Sequence, residues 1–303
     1  MDIYLPIAGM SVNAPLIVAL GLLVGILSGM FGVGGGFLTT PLLIFYGIPP
    51  SVAVASATTQ ITGSSVSGVL AHMRRGGVDL RMGAVMVAGG LLGSLAGAGL
   101  FRLLQASGQI DTVIGLMYVL LLGSIGVLML RDAALALGWM QPAENASPRP
   151  RHNRWIASLP LRSRFYASGL YLSPIAPLAL GFIAGILTVL LGIGGGFILV
   201  PAMIYLFGMA ARVVVGTSLV MILAVSAATT MIHALTTEAV DLVLAALLLV
   251  GGVIGAQYGA QLTTRLKPDL LRLSLAVIII LVALRMAFGL TYRPDEIFSI
   301  EYL

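Results

Sequence analysis

The sequence contains no cysteine, which excludes disulfides and thiolate metal centres, and its three histidines have no carboxylates nearby to complete a metal cluster. It has no H-E-x-x-H, no pair of carboxylates within an apolar run and no serine–histidine constellation, so the residues argue against an enzyme and call for no cofactor. Charge is scarce: 9% of residues are Asp, Glu, Lys or Arg, against about 25% in an ordinary soluble domain. With 59% hydrophobic residues, the chain reads as an all-α polytopic membrane protein. The net charge of +5 does not indicate nucleic acid, because the cations sit in short segments between apolar runs with no aromatic interleaving. Residues 1–15 lack the basic region and small-residue cleavage site of a secretory signal, and are read as mature chain.

Glycine is what the sequence has in abundance. Gly32, Gly34, Gly35, Gly36, Phe37 and Pro41 return 160 residues later as Gly192, Gly194, Gly195, Gly196, Phe197 and Pro201. His72 and His233 correspond at 161, and Asp79 and Asp241 at 162. The chain is therefore duplicated, with an N-terminal transmembrane repeat over 1–138, a basic linker over 139–165 and a C-terminal transmembrane repeat over 166–303. The linker carries Arg149, Arg151, Arg154, Arg162 and Arg164, and its Asn145-Ala-Ser acceptor triplet is set aside because the loop reads as cytoplasmic.

Within the first repeat the apolar run 15–31 is broken by glycines, and the run 37–46 after them covers only about 15 Å as a helix, half a bilayer core. A Gly-rich helical hairpin, re-entrant or of short helices, is expected, followed by three spans over 51–72, 80–101 and 112–130. The second repeat gives a hairpin over 177–207 and spans over 213–233, 242–262 and 273–290. Irregular backbone at membrane depth is tolerated only where protein buries it or it lines a cavity, which marks the hairpin tips as a site. Gly89, Gly93 and Gly97, with Gly251, Gly255 and Gly259, form four-residue rows suited to close helix packing, and could serve contacts within one chain or between two in a homo-oligomer.

Cations orient the repeats. Three crossings per repeat would invert the second relative to the first. One side then holds Arg74, Arg75, Arg81, Arg131, the five linker arginines, Arg212, Arg265, Lys267 and Arg272, and the other only Arg102 and Arg293. The positive-inside rule puts the linker in the cytoplasm and both termini outside. Inverted repeats with broken helices are an architecture of secondary transporters, and helix N-termini at the tips suit a small anion.

The GxGGGFxxxP motif in both halves, VAVASATTQI over 52–61, HMRRGGVD over 72–79 and VGTSLVMI over 215–222 resemble the TauE/SafE sulfite exporter family, also called the four-toluene sulfonate uptake permeases. The resemblance covers nearly the whole chain outside the linker and C-terminal tail. It implies a multi-pass transporter of small sulfur-containing anions (sulfite, thiosulfate or organosulfonates) in a bacterial inner membrane; an anion channel of the same architecture is the alternative. Where the family has Thr-Ser in the first repeat, this chain has Ser56-Ala57, while Thr217-Ser218 is kept in the second.

The candidate substrate-binding residues are Gly34, Gly35, Gly36 and Phe37, with Gly194, Gly195, Gly196 and Phe197, at the tips, and Ser56, Gln60, Thr217 and Ser218 on the polar third element of each repeat. Gln60 cannot readily satisfy itself on the preceding helical turn, as Ser and Thr do. His72 and His233 are candidates for a coupling proton, although their places at helix ends also suit interfacial histidines. Arg285 is the one cation well inside a span, a candidate counter-charge for the anion or a side chain snorkelling outward.

Overall fold

The computed structural model describes residues 2–31, 35–74, 76–136, 160, 163–165, 167–262 and 268–291. Each half follows the same order. A β-hairpin, β1 (Asp2–Leu5) and β2 (Met10–Asn13), precedes α1 (Ala14–Phe31), the ten-residue α2 (Gly36–Phe45) and three long helices, α3 (Pro50–Arg74), α4 (Leu80–Ala106) and α5 (Ile110–Ala136). The second half has β3 (Ser163–Phe165) and β4 (Leu170–Leu172), then α6 (Ile175–Leu191), the ten-residue α7 (Gly196–Tyr205), α8 (Ala211–Thr236), α9 (Leu242–Leu262) and α10 (Pro268–Thr291).

Five of these helices, α4, α5, α8, α9 and α10, are long and apolar enough by length and composition to cross a membrane. The protein is an all-α polytopic membrane protein. Its two antiparallel hairpins are a small addition that the sequence reading lacks; Ser163–Phe165 lies in the segment read as linker, and residues 137–159 lie outside the described part.

Why α3 is helical despite its polar residues is visible in its hydroxyls. Thr58, Thr59, Thr62 and Ser64 donate to carbonyls three or four residues back, at 2.7–3.1 Å, so the hydroxyl costs no unmade bond inside the fold. Asp79 and Asp241 cap the N-termini of α4 and α9, accepting from the Met82 N–H at 3.0 Å and the Leu244 N–H at 3.0 Å.

Glycine rows set the helix pairing. A Cβ on Gly89, Gly93 or Gly97 would lie 3.0 Å or closer to the backbone of Leu178, Phe182 or Ile186, so α4 and α6 touch main chain to main chain. The row Gly251, Gly255 and Gly259 on α9 meets Val18, Leu22 and Ile26 of α1 in the same way, and α1 replies with Gly21, Gly25 and Gly29 against Leu248, Gly252 and Ala256. Both rows are thus spent within the chain. Residue numbers rise together along each interface, so α1 runs parallel to α9 and α4 parallel to α6.

The counterpart long helices run the other way. In α3 and α8, Thr59 meets Thr230 while Gly68 meets Leu219; in α5 and α10, Gly115 meets Leu290 while Gly126 meets Ile280. Each half therefore lends its first helix to the fourth helix of the other half. One apolar core spans the junction, built from Phe37, Leu38, Tyr118, Leu191, Ile193 and Phe197 among others.

Candidate functional site

The two glycine tips meet. Phe37 and Phe197, the second residues of α2 and α7, stack with ring centroids 4.6 Å apart and planes 9° from parallel. Gly36 is buried against Ile61 of α3, and a Cβ there would come 2.6 Å from the Gly192 carbonyl of the opposite tip. The second turn is built from left-handed glycines: Gly192, Gly194 and Gly195 have φ of 68°, 66° and 75°, a region costly to any residue with a Cβ. Gly195 caps α7 and Gly35 caps α2, both without a side-chain cap, so the first N–H groups of each short helix have no acceptor in their own helix.

Supports beneath the tips hold this irregular backbone. Ser28 of α1 accepts the Gly35 N–H at 2.8 Å. Its counterpart 160 residues on, Thr188, is buried and donates to Ala184 at 2.7 Å. On the second side Tyr118 of α5 donates its hydroxyl to the Leu191 carbonyl, and His233 Nε2 lies 3.1 Å from the Val189 carbonyl with its ring edge-on to Phe101. Both contacts take carbonyls at the C-terminal end of α6 that the helix itself cannot satisfy. Ser28, Thr188 and Tyr118 are absent from the sequence-derived candidates. The 160-residue offset would have paired Ser28 with Thr188; nothing local marks Tyr118.

Gln60 joins the site as expected from its length. It is 4% exposed, accepts the Thr39 hydroxyl of α2 on Oε1 at 3.1 Å, and lays its Nε2 against Gly252 of α9. Ser56 and Thr217 are placed elsewhere on their helices. The Ser56 hydroxyl accepts the Asp241 N–H at 3.2 Å, and the Thr217 hydroxyl accepts the Asp79 N–H at 2.9 Å, each tying a cap in the other half. Ser218 donates to Val215 at 3.0 Å and lies one turn before Ile222, which touches Gly194. Gly34 lies outside the described residues.

His72 is half-buried in the last turn of α3, whereas His233, at the same place in α8, is 1% exposed under the α6 terminus rather than interfacial. Arg285 is not brought to the tips. It sits over the Phe45 ring, 5.2 Å from its centroid, in a cavity of 270 Å³ shared with Pro50, Asp111 and Gly115. Phe45 ends α2 while Gly36 begins it, so the guanidinium lies roughly 14 Å along the helix from the turn. Among the described residues, no three His, Asp or Glu side chains come together to hold a metal ion.

Three buried hydroxyls near the junction have no partner: Ser65 on α3, and Ser226 and Thr229 on α8. Ser226 Oγ lies 3.4 Å from the Cβ position on Gly194. An unmade hydrogen bond of this kind costs about 1–3 kcal/mol. The sequence signal for two of them was available, since Ser65 and Ser226 stand 161 apart, like His72 and His233.

Against known proteins, the model of the family described as Sulfite exporter TauE/SafE matches residues 17–286. The chain is 31% identical over 275 residues to the probable membrane transporter protein YjnA of Bacillus subtilis strain 168, covering 89% of this chain and 98% of that one. It is 28% identical over 268 residues to a probable membrane transporter protein of Xylella fastidiosa strain Temecula1, covering 87% and 91%. A stretch of 52 residues, 17% of this chain and 11% of the other, is 42% identical to sulfite exporter TauE/SafE family protein 3 of Arabidopsis thaliana. No solved structure matches the chain.

Proposed function

The chain belongs to the TauE/SafE sulfite exporter family, and from that premise we propose that it is a secondary transporter of small sulfur-containing anions (sulfite, thiosulfate or organosulfonates) that binds them where the two glycine tips meet. The observation that carries this reading is the Phe37–Phe197 stack, which brings the N-termini of α2 and α7 to one place. The partial positive charge and free amides of two helix ends suit an anion, and a site without a fixed cation binds it without trapping it.

Alternating access of two inverted repeats is the proposed mechanism. Its support is that α3 and α8, and α5 and α10, run antiparallel although they hold equivalent places in the two halves. The loop cations support a cytoplasmic linker, periplasmic termini and a bacterial inner membrane; Arg81, at the start of α4, donates to the Arg164 carbonyl at 3.3 Å, so these two lie on one face. Two rings no more than 2% exposed fill the meeting point, which favours a carrier over an open channel. His233, which touches the support of a tip, is the stronger of the two histidine candidates for a coupling proton. A homo-oligomer would use surfaces other than the glycine rows.

Counterflow in proteoliposomes tests the function. Saturable uptake of sulfite, thiosulfate, isethionate or taurine, accelerated by the same anion inside, is the expected result. Non-saturating flux would select the channel, and no flux of any of them through folded protein overturns the assignment.

A further inference from the structure

Serine and threonine inside membrane helices ordinarily bond the carbonyl of the preceding turn, and here Thr58, Thr62, Ser94, Thr188 and Ser218 do so. Ser226 and Thr229 do not, although both are fully buried. They continue a stripe on α8, Ser218, Ile222, Ser226 and Thr229, whose spacing of four, four and three residues keeps one face. Ile222 and Ser226 from that face contact the Gly194 turn. The matching stripe on α3 is Ala57, Ile61 and Ser65, with Gly68 in the place of Thr229, and only Ser65 carries a hydroxyl. Buried donors left without an acceptor beside the start of a helix describe a polar site awaiting an acceptor-rich ligand.

We propose that Ser226 and Thr229, with Ser65 facing them from α3, are the groups that read the oxygens of a sulfur oxyanion head beside the N-terminus of α7, so that the anion is held chiefly by the second half. This rests on the carrier reading above. The head common to sulfite and to organosulfonates offers three oxygens and no donor, which matches hydroxyl and amide donors with no fixed charge. The lost hydroxyl at Ala57 then costs the site nothing essential, because the recognising hydroxyls lie on the other helix.

Calorimetric titration of the purified full-length protein with sulfite, thiosulfate, isethionate and taurine tests this. Ser226→Ala and Thr229→Val each weaken binding at least tenfold while the melting temperature without anion stays the same or rises, since each removes an unpaired polar atom. Ser94→Ala, equally buried but bonded to Leu91, leaves affinity unchanged. Sulfite and isethionate weakened alike supports recognition of the shared head. Wild-type affinity in both Ser226→Ala and Thr229→Val overturns the site while leaving the carrier reading intact; a wild-type protein that binds none of the four anions overturns both.

The packing carries a second inference independently. The Asp241 carboxylate accepts the Ile7 N–H at 3.1 Å from the β1–β2 hairpin, and its own N–H reaches Ser56 of α3. Asp79 repeats the device, accepting the Ser168 N–H at 3.0 Å and hydroxyl at 2.7 Å while its N–H reaches Thr217 of α8. These bonds, with the glycine rows, hold α9 to β1–β2, α1 and α3, and hold α4 to β3–β4, α6 and α8. We infer that these two exchanged bodies, rather than the two repeats, are the units that move, hinged where the chain passes between them at Gly76, with φ 65°, and at Glu238, with φ 50°.

The absence of cysteine makes the chain its own background for cross-linking. A Cβ on Gly83 of α4 would stand 3.8 Å from that of Val220 of α8, a disulfide spacing that joins the two repeats inside one proposed body. Oxidised Gly83→Cys/Val220→Cys protein in liposomes keeps sulfite counterflow, whereas oxidised Thr59→Cys/Thr230→Cys, which joins the two bodies, loses it and regains it on reduction. Arrest of the first pair, reversed by reduction, overturns the exchange; wild-type protein that moves no anion overturns it together with the carrier reading.

Discussion

Phe37 and Phe197 lie face to face across the junction of the two halves, with ring centroids 4.6 Å apart, although 160 residues separate them in the chain. Each ring is held by the helix that begins beside it, so the stack reports directly on whether the tips stay together. Phe37→Ala and Phe197→Ala are each expected to lower stability by about 3–5 kcal/mol. The double variant should lose less than the sum by about 0.5–1.5 kcal/mol, the worth of the ring pair itself. Denaturant unfolding in mixed micelles measures both quantities.

Glycine at Gly93 and Gly255 is required by backbone contact, not by turn geometry. Gly93→Leu and Gly255→Leu are expected to abolish the monodisperse folded peak in size-exclusion chromatography. Gly99, on the same helix as Gly93, has nothing within 4 Å of its Cβ position, and Gly99→Ala should be neutral or more stable by up to about 1 kcal/mol.

Removing the Asp79 carboxylate leaves the α4 N-terminus without its cap and Ser168 without its acceptor. Asp79→Ala should cost at least the roughly 0.5–2 kcal/mol of a lost N-cap, read as a fall in melting temperature. Anion affinity measured on the surviving folded protein is expected to change less than twofold, because the carboxylate is occupied by backbone and Ser168 donors rather than facing the tips.

Arg285 over Phe45 ties the end of α2 to α10. Arg285→Gln should destabilise by about 0.5–2 kcal/mol, the range of a cation–π contact, while anion affinity stays within twofold. A tenfold loss of affinity with an unchanged melting temperature would instead make the guanidinium a counter-charge.

How far the sequence could be read follows from the range of each interaction. The halves, the broken first helix and the short second helix were legible because glycine and proline act on their own neighbours, and because the two copies of the motif could be laid against each other. Gln60 was legible as well, since its side chain cannot bond its own preceding turn. Ser56 and Thr217 carried the same kind of signal as Ser226 and Thr229, a hydroxyl in an apolar helix; which of them is already taken depends on where Asp241 and Asp79 arrive from the other half. His233 resembled an interfacial residue by its place near a helix end, yet it is buried because the end of α6 lies over it.

By itself, then, the sequence determined a duplicated, membrane-embedded helical chain whose glycine turns are the likeliest places for backbone to meet a ligand, since composition, period and turn chemistry are local properties. The tertiary structure decided which rows of glycine face which helix, and so that the halves exchange their first helices. It also decided which buried hydroxyls remain without a partner. Those outcomes depend on contacts between segments some 160 to 230 residues apart, where close packing of main chain against main chain, rather than any local preference, selects the neighbour.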